Sequence, residues 1–223
     1  MSKKNMTYSD VRKNEEINTY IRQADIALSA LGYTEHSFAH VTAVAEKAGY
    51  ILQTLGYSER NVELAKIAGY LHDIGNLVNR IDHSQSGAVM AFRILDRMAF
   101  PPEEIAAIVA AIGNHDEGTG TPVSPLAAAL IIADKSDVRR SRVRNQADIH
   151  TDIHDRVNYA VEAAALELIP EVDQILLRLT IDTDISPVME YFEIFMKRML
   201  LCRKAAAKLG CAFRLEINGQ LLA

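Results

Sequence analysis

The sequence is poor in cysteine and has no long apolar run. Its two cysteines, Cys202 and Cys211, are too few among 223 residues for a disulfide scaffold and lack the paired spacing of a zinc finger. We therefore expect a protein of a reducing compartment, the cytoplasm. The longest apolar runs, such as residues 126–133, are much shorter than the roughly 18 residues that a membrane span requires. We expect no membrane segment.

Positive charge is also scarce. The chain has 24 Lys and Arg residues against 29 Asp and Glu residues, which gives a formal net charge of −5. Such a protein has no general attraction for DNA or for anionic lipid, so we expect neither as a partner. Hydrophobic residues make up 49% of the chain, as in ordinary globular proteins. The length predicts one compact domain with an appendage, or two small domains.

Apolar residues recur at helical spacing in most of the first 169 residues. This pattern predicts a mainly α protein. The predicted helices cover about residues 14–31, 37–55, 58–75, 84–98, 102–112, 125–136 and 153–168.

The pattern changes after Pro170. Apolar and polar residues alternate in 174–182 and in 213–217, which predicts two strands, and a helix of about 186–209 lies between them. We therefore divide the chain into a helical domain, 1–169, and a small β-containing module, 170–223, that packs on it. The large apolar residues of the last helix have a spacing that fits either the core or a homodimer contact.

Four histidines and two aspartates form the most informative pattern. Each histidine lies in or beside a different predicted helix, and several of these polar residues fall on apolar faces. A carboxylate buried there costs several kcal/mol unless it is paired or coordinated. For one histidine alone, a hydrogen-bonded role in the core or at the surface is the better interpretation, but a shared metal would satisfy the whole set. The six residues are His40, His72, Asp73, His83, His115 and Asp134.

The pattern can be divided between two ions. His40, His72, Asp73 and Asp134 would hold the first, while His83 and His115 would add ligands for a second, with Asp73 bridging. Mixed imidazole and carboxylate ligands suit divalent transition metals. We expect iron or manganese. Zinc, cobalt, nickel and magnesium stay open as alternatives, because ligand type alone does not choose among these metals.

Three segments carry a resemblance to a known family. HSFAHVTAVAEKAG, IAGYLHDIGN and LIIADKSD contain His40, the pair His72–Asp73, and Asp134 in that order. Over about residues 36–144 the chain resembles the HD-domain metal-dependent phosphohydrolases, whose signature is H…HD…D. His83 and His115 match the extra ligands of the two-metal subgroup. The resemblance implies a helical bundle with metals between its helices, and cleavage of phosphate esters or anhydrides, often in nucleotides.

One position departs from the family pattern. Two-metal members often carry a lysine in HDIGK that can meet a phosphate, whereas this chain has Asn76. Phosphate contact must then come from elsewhere. The densest basic stretch follows Asp134 directly, and its alternative interpretation is a solvated helix end and loop. We predict that Arg139 and Arg142 of this stretch bind the substrate together with Arg80, because guanidinium groups match phosphate oxygens.

The resemblance therefore implies a hydrolase for a small phosphorylated metabolite, with a nucleotide as the first candidate. A metal-bound hydroxide would attack phosphorus, Asp73 would bridge and orient the metals, and Lys135 would stabilise charge on the substrate. Two alternatives stay open. An HD-type di-iron oxygenase has the same ligand pattern, and a non-catalytic sensor could use the fold to bind a nucleotide.

Overall fold

The computed structural model describes residues 6–144 and 152–222, which form a mainly α protein with a small sheet at the end of the chain. This confirms the predicted fold class. The helices are α1 (Tyr8–Arg12), α2 (Glu15–Ala30), α3 (Phe38–Thr54), α4 (Glu59–Leu71), α5 (His83–Arg97), α6 (Pro102–Gly113), α7 (Pro125–Lys135), α8 (Ile153–Ala160) and α9 (Val188–Lys208). The strands are β1 (Val161–Ile169), β2 (Gln174–Ile181), β3 (Ala212–Ile217) and β4 (Gln220–Leu221).

Helix α7 lies at the centre of the molecule. Its residues from Leu126 to Ala133 are all buried, because the helix is apolar on every side. Helices α3, α4, α6 and α9 all pack against it. Asp134 and Lys135 are the last residues of this helix, so its packing fixes two polar side chains inside the bundle.

A close backbone approach joins the turn after α4 to the start of α5. A Cβ atom at Gly75 would lie 2.0 Å from the carbonyl oxygen of His83 and 2.4 Å from the amide nitrogen of Gly87. Only glycine allows this contact. The turn that carries Asp73 therefore packs closely against the helix that begins at His83.

The sheet has the order β1-β2-β3-β4. Strands β1 and β2 pair antiparallel, β2 and β3 pair parallel, and β3 and β4 form a hairpin through Asn218 and Gly219, which both have positive φ. Parallel neighbours need a crossover connection, and α9 supplies it between β2 and β3. The two predicted strands, 174–182 and 213–217, are confirmed as β2 and β3.

The predicted helix over 153–168 is wrong in its second half. Helix α8 ends at Ala160, and Val161–Ile169 is strand β1. Alanine, glutamate and leucine dominate this segment and have high helix propensity, but propensity is a weak preference that tertiary pairing overrides. Here β1 pairs along its length with β2, for example Leu166 with Leu177.

Helix α9 turns one apolar face towards the rest of the chain. Tyr191, Phe195 and Met199 are buried against the core, whereas Met196 lies at the surface. The spacing of Tyr191, Phe195 and Met199 therefore reflects packing within the chain. Among the described residues, no helix combines the length and the apolar character needed to cross a membrane.

Candidate metal centre

The first pair of histidines faces both predicted carboxylates. The Nε2 atom of His40, from α3, lies 3.4 Å from Asp73 Oδ2 and 3.4 Å from Asp134 Oδ1. The Nε2 atom of His72, at the end of α4, lies 3.2 Å and 3.7 Å from the same two oxygens. These four side chains converge on one point although they come from three separate parts of the chain.

The second pair faces the other oxygen of Asp73. The Nε2 atom of His83 lies 3.5 Å from Asp73 Oδ1 and 3.2 Å from the Nε2 atom of His115. Asp73 therefore presents Oδ2 to His40 and His72 and Oδ1 to His83. A carboxylate placed in this way can bridge two ions.

All four histidines are oriented in the same way. Each Nδ1 atom lies 2.7–3.0 Å from a fixed acceptor, and we assign the ring proton to Nδ1 from these contacts. With the proton on Nδ1, each Nε2 atom has a lone pair that points at the centre. The acceptors are a carboxylate oxygen of Asp137 for His40 and the backbone carbonyls of Gly69, Arg80 and Ile112 for His72, His83 and His115. Histidines that ligate metals are typically held by such partners.

The centre leaves buried nitrogen atoms without partners. Among the described residues, His40 Nε2 and His72 Nε2 are fully buried and have no hydrogen-bond partner. A buried polar atom in this state costs about 1–3 kcal/mol, so a structure rarely retains two side by side. Two overlapping groups, His40–His72–Asp134 and His72–Asp73–His115, have ligand atoms close enough to hold a metal. The donor set therefore fits a divalent ion.

The charges of the centre agree with this fit. Burial alone would raise the pKa of Asp73, but the adjacent imidazoles of His72 and His40 hold it well below its usual value. Burial would lower the pKa of His72, yet the adjacent carboxylates of Asp73 and Asp134 raise it to about 10. The carboxylates are thus ionised, and they attract positive charge to a buried site, whether from protons or from metal ions.

Asn76 and Arg80 support the bridging carboxylate. The side-chain amide of Asn76 donates to Asp73 Oδ1 at 2.9 Å, and its oxygen accepts from Nη1 of Arg80 at 3.2 Å. Arg80 Nη1 also lies 3.9 Å from Asp73 Oδ1. The asparagine that replaces the family's lysine therefore places a guanidinium beside Asp73.

Lys135 reaches the centre within a network of ion pairs. Its Nζ atom lies 2.8 Å from Asp134 Oδ2 and 2.6 Å from Glu117 Oε2, and the residue is buried. The predicted catalytic lysine is therefore adjacent to one candidate ligand. Its ammonium group is already shared between two carboxylates.

The basic stretch after Lys135 does not continue the helix. Helix α7 ends there, and the chain turns before a short 3₁₀ segment, Arg140–Arg142. Arg142 is buried and donates to the backbone carbonyls of Glu35 and Asp137. Arg139 pairs with the side chains of Asp137 and Glu35, and it lines neither of the cavities described below. The chain leaves the direction of α7 after Ser136, so Arg139 does not lie on an extension of that helix.

Two cavities adjoin the candidate ligands. A cavity of about 20 Å³ is lined by Asp73, His83, His115, Asp134 and Lys135, and a larger one of about 420 Å³ lies beside it. Both are lined by His36, Arg80, Arg142 and Arg198. A small molecule in the larger cavity would therefore meet positive charge on the side nearest the metal ligands.

Four residues of this region were not predicted from the sequence. Asp137 orients His40, Glu117 pairs with Lys135, and Arg198 lines both cavities from α9. His36 lines both cavities as well, and its Nδ1 contacts the carbonyl of Thr34. A sequence signal existed only for Asp137, which lies three residues after Asp134, and for His36, which begins the first family-like segment.

Comparisons with known proteins match the central part of the chain. The family model of the HD domain matches residues 37–139, the segment that holds all six candidate ligands. An uncharacterized protein of Methanocaldococcus jannaschii is 30% identical over 162 residues, which cover 62% of each chain. Ribonuclease Y of Thermosipho melanesiensis is 35% identical over 115 residues, which cover 51% of this chain and 21% of that enzyme. The match thus covers less than two thirds of the first relative and about a fifth of the second.

A solved structure also matches part of the chain. It is a predicted HD superfamily hydrolase from an uncultured Thermotogales bacterium, with 25% sequence identity and a TM-score of 0.46. The alignment covers 60% of this chain and 75% of that one. From the matched segment and the order of its histidines and aspartates, residues 37–139 form an HD domain.

Proposed function

We propose that this protein is a metal-dependent hydrolase of phosphate ester or anhydride bonds in a small metabolite, with nucleotides as the first class of substrate. The observation that carries this proposal is the convergence of four histidine Nε2 atoms on the two carboxylates, with Asp73 facing both histidine pairs. Bound metal would polarise a phosphoryl oxygen and activate water. Iron and manganese are the first candidates.

The residues of the chain have separate tasks in this proposal. Asp73 bridges the two histidine pairs, and Asp137 holds His40 in the ligating orientation. Arg80 lines both cavities and stands beside Asp73, so it can meet the phosphate when a substrate arrives. Lys135 shields the charge of Asp134 and contributes positive charge beside the reacting group.

The size of the larger cavity supports a small substrate. Its volume of about 420 Å³ lies within the usual range of about 300–1,000 Å³ for small-molecule sites. The name of the ribonuclease Y relatives points to RNA, but the net charge of −5 does not favour binding along a polyanion. A nucleotide supplies the same phosphate chemistry in a molecule that the cavity can hold.

The test combines metal analysis with a substrate screen. Protein as purified is analysed for metal, then loaded with Fe²⁺, Mn²⁺, Zn²⁺, Co²⁺, Ni²⁺ or Mg²⁺ and assayed on nucleoside mono-, di- and triphosphates, sugar phosphates and a short RNA. We expect phosphate release from a nucleotide that is lost in Asp73→Asn and retained in Asp96→Asn, an exposed aspartate on α5. Metal-loaded protein without turnover would contradict the proposal, and oxygen consumption by the iron form would favour the oxygenase instead.

A further inference from the structure

Arg198 enters the metal region from outside the HD domain. It lies on α9, nearly sixty residues beyond the end of the matched segment, and α9 packs along α7. Its side chain is 23% exposed and lines both the small cavity at the ligands and the larger cavity beside it. A charged side chain from the C-terminal module therefore faces the place where a substrate would bind.

A single nitrogen atom anchors this guanidinium. The Nε atom of Arg198 donates to Oε1 of Glu117 at 3.0 Å, while Oε2 of Glu117 pairs with Lys135. The guanidinium also lies over the ring of Phe195, with 4.5 Å from its central carbon to the ring centroid. Among the described residues, neither Nη group of Arg198 has a hydrogen-bond partner. The two terminal Nη groups, which could both bind one phosphate, are thus available to a ligand.

The other positively charged side chains near the metal ligands have terminal nitrogens that are already engaged in contacts within the protein. Arg142 donates to two backbone carbonyls, which ties it to the loops at residues 35 and 137. Arg80 uses Nη1 to contact Asn76. The ammonium group of Lys135 is shared between Asp134 and Glu117. Of these side chains, Arg198 is held at its base and has both terminal nitrogens free.

We propose that Arg198 binds the phosphoryl oxygens of the substrate and that Glu117 is its positioning residue. The proposal rests on the proposed function and deepens it, because it makes helix α9 part of the active site. A guanidinium fork binds two oxygens of one phosphate in parallel, which a point charge does not. The Glu117 carboxylate links Arg198 to Lys135, so the orientation of the fork depends on the same network that contacts Asp134.

The test measures inorganic phosphate binding to the metal-loaded protein by calorimetry, alongside steady-state kinetics on the best phosphate ester. We expect Arg198→Met to weaken phosphate binding and raise KM about tenfold or more, the usual effect of losing a hydrogen bond to a charged group. Arg198→Lys should recover part of the loss, because it keeps the charge but not the fork. Arg203→Met, an exposed position on the same helix, is the matched control and should bind phosphate as the wild type does.

Glu117→Gln provides a second variant that keeps the arginine. We expect it to raise KM more than it lowers kcat, because it loosens the guanidinium of Arg198 while every positively charged side chain of the cavity is kept. Melting temperature and metal content are measured for each variant to establish that it is folded and loaded. Arg198→Met with the phosphate affinity and KM of Arg203→Met would overturn the proposal.

The two proposals fail in different ways. If the wild type hydrolyses a phosphate ester and both Arg198 variants keep its KM, the proposed function stands and the role of Arg198 is refuted. If the screen finds no turnover but phosphate binding is lost in Arg198→Met and kept in Arg203→Met, the anion site stands and the hydrolase assignment falls. Absence of phosphate binding to the metal-loaded wild type would refute the role of Arg198 directly.

Discussion

Asp137 accepts a hydrogen bond at 2.7 Å from Nδ1 of His40, and both side chains are buried. This contact turns Nε2 of His40 towards Asp73 and Asp134. The other three histidines of the centre use backbone carbonyls for the same purpose. His40 is thus the candidate ligand whose orientation depends on a side chain, and mutation can test it without altering any ligand.

Replacing Asp137 with asparagine should weaken metal binding. The amide can still contact His40, but it lacks the negative charge that makes the imidazole a stronger ligand. We expect metal affinity to fall about 10- to 100-fold, the usual effect of removing such a supporting partner. Competition with a chelator of known affinity measures the change, with the exposed Asp96→Asn as control. Equal metal affinities in Asp137→Asn and Asp96→Asn would show that Asp137 does not support the metal site.

Two equivalents of metal per chain are expected, and they should be separable by mutation. His83→Ala or His115→Ala should reduce the content to about one equivalent, because His83 faces Asp73 Oδ1 and His115 contacts His83. His72 contacts both carboxylates, so His72→Ala should reduce the metal content further. Elemental analysis of purified protein gives the count, with His154→Ala as control. One equivalent in wild type, unchanged in His83→Ala and His115→Ala, would reduce the site to a single ion.

Acid should destabilise the metal-free protein partly through Asp137. Burial raises the pKa of this carboxyl, but the hydrogen bond from His40 and the charges of Arg142 and Lys47 hold it well below its usual value. A group whose pKa is lowered by folding stabilises the protein above its unfolded pKa of about 3.9 and loses that contribution as the pH falls further. Urea unfolding should therefore show a stability difference between wild type and Asp137→Asn that narrows as the pH falls below about 4. A difference independent of pH down to pH 2 would contradict this origin.

The module after residue 169 should be required for a folded protein. Tyr191, Phe195 and Met199 of α9 are buried, and β1 would lose its partner β2 if the chain ended there. We expect a chain truncated at Pro170 to aggregate or to bind a dye for exposed apolar surface. Within the full chain, Phe195→Ala should cost about 3–5 kcal/mol of unfolding free energy, whereas Met196→Ala at the surface should cost little. A truncated protein that stayed soluble and active would show that the module is an independent appendage.

The sequence predicted those features that short segments encode. Helical periodicity located the helices of the HD domain, and the ordered His40, His72–Asp73 and Asp134 segments identified the family. Alternation predicted β2 and β3, but β1 has the composition of a helix and becomes a strand because β2 pairs with it. Glu117 and Arg198 are far apart in the chain and meet only because α9 packs on α7. No local pattern marks either of them as part of the site.

The six candidate ligands come from five places in the fold: α3, the end of α4, the start of α5, the turn after α6, and the end of α7. No single segment can therefore hold an ion in the full coordination sphere. An ion bound here would link these elements as a covalent bridge would. Because the unfolded chain cannot hold the five places together, metal loading should raise the melting temperature, and a chelator should lower it again.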